Sequence, residues 1–218
     1  MSGMKAGVIV FPGSNCDRDM LMALKAVCSE VKYIWHKDAS IDQDIDIIAI
    51  PGGFSYGDYL RCGAIAASSN IISDLKKAAD AGKFIIGVCN GFQILTETGL
   101  LPGTLIRNKN LKFISKVTKI ETVNTNTSFT KSAKSALMLP VAHHDGNYFC
   151  DKKTLASLKE NDQIAFKYAE DINGSIEQIA GIFNKQKNIL GMMPHPERAI
   201  DKNVCGMDGL SIFQSIIN

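Results

Sequence analysis

The stretch Phe84-Ile85-Ile86-Gly87-Val88-Cys89-Asn90-Gly91-Phe92-Gln93 decides the fold. Phe84 to Val88 is a short continuous apolar run, the pattern of a strand whose two faces are both covered. Asn90 to Thr98 then reads as a helix, with Gly99 after it. Between them lies G-x-C-x-G, centred on Cys89. A strand that turns sharply into a helix forces the corner residue into a strained backbone conformation. Side chains beside it would collide, and glycine on both sides removes the collision. The helix aims its N-terminal N–H groups and positive dipole end at the thiol, a setting that favours thiolate. The context is that of a nucleophile elbow with sulfur in place of oxygen. The same residues also suit a buried cysteine at a glycine-rich turn.

Reading outward, Ala6 to Phe11 and Ile45 to Ile50 are further apolar strands, the second closed by Pro51-Gly52-Gly53. Val31 to Trp35 is short and β-rich. Asp17 to Val27 carries Met20, Leu21, Leu24 and Val27 at helical spacing, and Ile71 to Ala81 reads as a helix stopped by Gly82. Apolar strands separated by helices predict an α/β, flavodoxin-like fold: a mostly parallel sheet with helices on both faces. Ligand sites in such sheets lie at the carboxyl ends of the strands. The second half differs. Leu111 to Val123 alternates, and Ile179 to Phe183 with Asn188 to Met193 flank Asn184-Lys185-Gln186-Lys187 as a hairpin. These predict a small antiparallel extension at one edge. Lys131 to Ser135 and Asp151 to Asn161 read as loop or short helix, and Leu210 to Ile217 as a last helix. The length of 218 residues suits a single domain over 1–218.

Net charge is +2, from 24 basic and 22 acidic residues, so no nucleic-acid footprint is present. The opening Met1-Ser2-Gly3-Met4-Lys5 leads into an apolar run too short to span a membrane and without a cleavage pattern, which makes a cytoplasmic location the expectation. Cys16, Cys28, Cys62, Cys89, Cys150 and Cys205 form no C-x-x-C pair and no zinc-ligand spacing with histidine, so free thiols and no metal are expected.

Two further segments complete a site. Paired glycines in Pro51-Gly52-Gly53, at a strand end, free backbone N–H groups to approach a ligand; alone they are a plain turn. Beside the elbow, the Gly53 and Asn90 N–H groups become the oxyanion donors. In Pro194-His195-Pro196-Glu197, the histidine titrates near neutral pH and can give a proton to a leaving group. Glu197, two residues on in an extended segment, would hold its tautomer. His36, His143 and His144 lack that setting.

Gly87-Val88-Cys89-Asn90-Gly91-Phe92-Gln93 together with Met193-Pro194-His195-Pro196-Glu197-Arg198 resembles the class I (triad) glutamine amidotransferases. The long stretch from Pro51-Gly52-Gly53-Phe54-Ser55-Tyr56-Gly57-Asp58 to Tyr59-Leu60-Arg61-Cys62-Gly63-Ala64-Ile65-Ala66 and the opening Phe11-Pro12-Gly13-Ser14-Asn15-Cys16-Asp17 are similar to the glutaminase subunits of phosphoribosylformylglycinamidine synthases. The resemblance runs over nearly the whole chain. It implies that Cys89 attacks the side-chain amide of L-glutamine, that His195 protonates the departing ammonia, that Glu197 orients His195, and that Gln93 contacts the substrate. It also implies a partner synthetase subunit that carries ATP and Mg, with no cofactor on this chain, and a third small subunit. The chain has no phosphate loop of its own, in keeping with that division.

Where such subunits commonly read Ala-His-Gly-Glu-Gly, this chain has Ala142-His143-His144-Asp145-Gly146. Tyr56, Asp58 and Arg61 are candidates for signalling between subunits; the plainer reading is a solvated loop with an Asp58–Arg61 ion pair. A glutaminase serving another synthase, a stand-alone cysteine hydrolase and a non-catalytic cysteine sensor share many of these features. Cys16, Cys62 and Cys205 are the further thiols near motifs of the site, with no role assigned to them by position.

Overall fold

The computed structural model describes residues 3–218; Met1 and Ser2, at the head of the leading segment, lie outside them. In chain order the elements are β1 (Lys5–Val10), α1 (Asp17–Lys25), β2 (Glu30–Trp35), β3 (Ile47–Ile50), α2 (Ile71–Asp80), β4 (Phe84–Val88), α3 (Asn90–Glu97), β5 (Thr104–Ile106), β6 (Ile114–Thr122), β7 (Ala136–His143), β8 (Asn147–Phe149), α4 (Lys152–Glu160), β9 (Ile164–Tyr168), β10 (Ile179–Phe183), β11 (Ile189–Met192) and α5 (Leu210–Ile217).

Among the described residues nine strands form one sheet in the order β2-β1-β3-β4-β11-β10-β9-β6-β7, and β5 pairs with β8 separately. The first five run parallel, in the flavodoxin-like order. Every residue of β3 is buried, as are Ile85 to Val88 of β4. Since successive strand residues point to opposite faces, both faces are covered there. Helix α1 packs on β1 and β2 and touches α5, while α3 lies on β3, β4 and β11. Gly191 permits the last contact, because a Cβ at that position would stand 2.2 Å from Phe92 Cδ2.

Two expectations change. The β10–β11 hairpin forms, with Ile182 opposite Gly191, but it does not stand at an edge. β11 is also parallel to β4, pairing Gly87 with Gly191 and Val88 with Met192. The hairpin is therefore the seam between the parallel and antiparallel halves. Beyond it lie β10, β9, β6 and β7, a larger extension than the sequence suggests. Strands β5, β7, β8 and β9 fall where the sequence reading places none. β7 contains Pro140, which lacks a ladder donor and is tolerated because β7 is the edge strand. The polar segment after Asp151 forms α4, with the Asp151 carboxylate accepting from the Thr154 N–H at 2.7 Å as its N-cap. No helix among the described residues is long and apolar enough to cross a membrane.

Candidate active site

β4 ends at Val88 and α3 begins at Asn90, leaving Cys89 alone at the corner with φ 51° and ψ −106°. That left-handed conformation costs a non-glycine residue on the order of 1–3 kcal/mol. The neighbours hold it there. The Cys89 N–H donates to Met192 O at 2.8 Å. A Cβ on Gly91 would lie 2.0 Å from the Ile50 carbonyl oxygen, and one on Gly87 would lie 2.5 Å from Leu95 Cδ1 and 2.7 Å from Gly91 O. Both glycines of G-x-C-x-G are thus required by close approach of backbone. The Cys89 thiol donates to the Ala142 carbonyl on β7 at 3.7 Å, so the antiparallel half supplies one wall of the site.

His195 follows β11, and its N–H donates to Pro140 O at 2.8 Å. Its Nδ1 lies 2.7 Å from Glu197 Oε1, and both side chains are buried. A carboxylate only accepts, so Nδ1 carries the proton. The other ring nitrogen, Nε2, has no partner among the described residues, and His195 lines the cavity shared with Cys89. The pair is not made by an extended segment. Pro196–Arg198 forms a single 3-10 turn that brings the carboxylate back to the ring. Burial alone would lower the His195 pKa. The charge of Glu197, and that of Cys89 once its thiol is ionised, outweigh it and hold the imidazolium well above its ordinary range.

The loop after β3 is laced to the loop after β1. Phe54 N–H donates to Gly13 O at 3.0 Å, and the Asn15 and Cys16 N–H groups donate to Gly52 O at 3.3 and 3.1 Å. This lacing leaves out the N–H of Gly53. Gly53 has φ 154°, and a Cβ there would meet Ser14 Cα at 2.7 Å. Asn90 opens α3, where an N–H has no intrahelical acceptor. A cavity of about 200 Å³ brings Cys89, His195 and Gly53 together with Cys16, Phe113 and Arg198. A larger concavity, about 720 Å³, lies elsewhere, among Gly99, Lys153 and Asn188. Its described lining includes no cysteine or histidine, so chemistry selects the smaller one.

The Asn90 side chain does more than its motif position suggests. Its Oδ1 accepts from the Ser55 N–H at 3.1 Å, and its Nδ2 donates to Gln93 Oε1 at 2.9 Å. Gln93 Nε2 then donates to Asp145 O at 2.7 Å. Gln93 is buried and ties the start of α3 to the turn at Asp145.

Arg61 does not pair with Asp58. Its guanidinium makes a two-point pair with Glu97 at the end of α3, at 2.7 and 2.6 Å. Asp58 instead lies 3.4 Å from Asn90 Nδ2, and burial, with help from Asp145, raises its pKa. The Tyr56 hydroxyl lies 2.8 Å from His36 Nδ1 and 3.3 Å from Ser69 Oγ. His143 is buried against Asn108, and burial with His195 nearby pushes its pKa down to about 4. His144 donates from Nε2 to Leu111 O at 3.1 Å.

Among the cysteines of open role, Cys16 reaches the site. Its sulfur accepts from Arg198 Nη2 at 3.2 Å, and Arg198 Nε donates to Asp19 at 3.2 Å. Cys16, His195 and Glu197 each offer a ligand atom within 4.8 Å of the others. One Glu197 oxygen is committed to His195, however, and the Arg198 cation already stands beside the sulfur. Cys62 lies by Asp58, its thiol pushed up by burial and by that carboxylate. Cys205 lines a neighbouring groove with Ile200 and Val204, which meets the site at Ala142, Glu197 and Arg198. The sequence signals for Cys16 and Arg198 are their places in the first and last motifs. Ala142 has none, because it acts through its backbone.

Residues 3–206 match the family described as the CobB/CobQ-like glutamine amidotransferase domain. The chain belongs to this family. A chain in the structure of PurLQS from Thermotoga maritima is 44% identical, with a TM-score of 0.91, over 99% of this chain and 98% of that one. A candidate GMP synthase component from Thermoplasma acidophilum is 18% identical, with a TM-score of 0.65, over 100% of this chain and 94% of that one. A glutamine amidotransferase from Thermotoga maritima is 15% identical, with a TM-score of 0.60, over 90% and 77%. The last two share the fold. As a glutamine amidotransferase, the chain takes nitrogen from an amide, and its elbow thiol and His195 line one cavity, with Glu197 buried behind the histidine.

Proposed function

We propose that this glutamine amidotransferase is the glutaminase subunit of a phosphoribosylformylglycinamidine synthase. It hydrolyses L-glutamine to glutamate and ammonia, and passes the ammonia to a synthetase subunit that converts formylglycinamide ribonucleotide to formylglycinamidine ribonucleotide in purine biosynthesis. The observation that carries the chemistry is the His195–Glu197 pair at 2.7 Å, with Nε2 free of partners among the described residues and His195 lining the cavity of Cys89. The likeness to PurLQS at 44% identity over nearly the full length of both chains supports the pathway.

In this reading the Cys89 thiol gives its proton to His195 Nε2, the thiolate attacks the side-chain amide carbon, and the carbonyl electron pair moves onto oxygen. The Gly53 and Asn90 N–H groups receive that oxyanion. The tetrahedral adduct collapses, the C–N bond breaks, and His195 gives its Nε2 proton to the departing ammonia. Water then attacks the glutamyl thioester, His195 takes its proton, and Cys89 leaves as thiolate. Glu197 holds the ring throughout. Gln93 faces the substrate with the part of its carboxamide not engaged by Asn90 and Asp145. The whole of 1–218 acts as one glutaminase domain in the cytoplasm. ATP and Mg serve the synthetase subunit, a third small subunit completes the complex, and this chain needs no cofactor of its own.

The test is glutamate release by wild type and Cys89→Ala, with and without the synthetase subunit, ATP and the formylglycinamide ribonucleotide. Release stimulated by the synthetase and abolished in the variant is expected. Stimulation by another synthase instead would overturn the pathway, and no release in an active complex would overturn the glutaminase reading.

A further inference from the structure

The turn from Ala142 to Gly146 presents two backbone acceptors to the site: Ala142 O to the Cys89 thiol at 3.7 Å, and Asp145 O to Gln93 Nε2 at 2.7 Å. Asn173 Nδ2 donates to Gly146 O at 2.8 Å and Arg107 pairs with Asp145 at 3.3 Å, but the side chain that spans the turn from His143 to Gly146 comes from the loop between β5 and β6. Asn108 is completely buried. Its Nδ2 donates to Lys112 O and to His143 O, both at 2.9 Å. Its Oδ1 accepts from the Gly146 N–H at 3.1 Å and faces His143 Nδ1 at 3.1 Å. Its own backbone N–H donates to His144 O at 2.8 Å. A carboxamide has two N–H donors and two oxygen lone pairs, and here all four are used. Because Oδ1 only accepts, His143 carries its proton on Nδ1, and burial keeps the ring neutral. Gly146 closes the turn over that ring so tightly that a Cβ would lie 2.2 Å from Nδ1.

We propose that Asn108 is a positioning residue of the glutaminase reaction, holding the Ala142–Gly146 turn so that its carbonyls fix the Cys89 thiol and the Gln93 carboxamide. The proposal rests on the glutaminase reading. Asn108 touches neither Cys89 nor Gln93. It acts through the two carbonyls, one governing the direction of the nucleophile and the other the substrate-facing amide. Displacing reacting groups by even an ångström costs up to roughly a hundredfold in rate. Losing Asn108 therefore lowers turnover and raises the KM for glutamine together.

The test uses the complete complex and compares wild type with Asn108→Ala, Asn108→Asp and Asn188→Ala. The Asp variant keeps the shape and the acceptor but loses the donors to His143 O and Lys112 O. Asn188 is the control. It is also a buried amide, bonded to Ala79 O at 2.9 Å and Lys83 O at 3.1 Å, away from the site. Turnover is expressed per Cys89 alkylated by iodoacetamide, so unfolded protein does not count. Both Asn108 variants are expected to lose roughly tenfold to a hundredfold in kcat/KM, with a changed rate of Cys89 alkylation, while Asn188→Ala keeps wild-type turnover per site. Wild-type kcat, KM and alkylation rate in a folded Asn108 variant would overturn the proposal. If wild type releases no glutamate, the glutaminase reading fails separately, and the positioning role is still decided by the alkylation rate in Asn108→Asp.

Discussion

Gly52→Ala isolates the placement of His195 from the stability of the fold. Gly52 lacks a left-handed backbone, so alanine brings no conformational strain. What it brings is a methyl group 2.7 Å from His195 Cε1, 3.2 Å from the Cys16 sulfur and 3.4 Å from His195 Nδ1. Carbon atoms pack best at about 3.5–4.0 Å, so the ring must retreat by about 0.8 Å or more, or the loop must lift. The ring cannot retreat freely, because Nδ1 is held to Glu197 at 2.7 Å. The shift therefore comes as a rotation that moves Nε2 relative to the Cys89 sulfur. Overpacking of this kind costs about 1–3 kcal/mol, and each kcal/mol lowers the Tm of a chain this size by roughly 2–4 °C. The catalytic cost is of similar size, about 2.7 kcal/mol: a misplacement near 1 Å reduces turnover by roughly a hundredfold. The assay is glutamate release in the synthetase complex at a temperature where the thermal scan shows the variant folded. A folded Gly52→Ala protein with wild-type kcat would refute the reasoning, since the packing of Gly52 against the ring would then carry no catalytic consequence.

Glu197→Gln removes the main charge that holds the His195 imidazolium up against burial. A group raised in the fold stabilises it fully below its ordinary value of 6.5, and that contribution fades as pH rises through the folded-state pKa. The Tm gap between wild type and Glu197→Gln is thus expected to be widest near about pH 6 and to narrow on the alkaline side, while the histidine-dependent limb of kcat/KM moves to lower pH. A gap that widens with rising pH would sink this account. Arg61→Ala breaks an exposed pair with Glu97, worth about 0–1 kcal/mol, so its Tm should barely move. Synthetase stimulation of glutamate release should fall in that variant, and normal stimulation would remove Arg61 from any signalling role.

Much of the parallel half is legible in the sequence because its information is local. An apolar run, a glycine-flanked cysteine and a helix lie within Phe84 to Thr98, and the elbow conformation follows from steric contacts inside that segment and with the end of β3. The His195–Glu197 pair is legible for the same reason, although a turn makes it rather than an extended segment. What stays hidden is non-local. Spacing pairs Arg61 with Asp58, the carboxylate nearest in sequence, but the end of α3 brings Glu97 closer. β7 hides behind Pro140, which speaks against a strand unless its place at the sheet edge is known. The hairpin strand β11 reads as an edge because its parallel partner β4 lies a hundred or so positions earlier in the chain. Ala142 contributes only a carbonyl, which any residue type would supply, and Asn108 matters through partners that no spacing rule connects.

The ladder between β4 and β11 has a mechanical consequence. It sets Val88 beside Met192, and Cys89 N–H continues it onto Met192 O. The thiol and the imidazole therefore ride on one rigid plank, each only a few residues past a shared rung. A movement that separates them must first break the Val88–Met192 pairing. Any partner that turns this enzyme on must leave that pair alone and work on what surrounds it: the laced loops that carry Gly53 and Asp58, and the turn that hangs on Asn108.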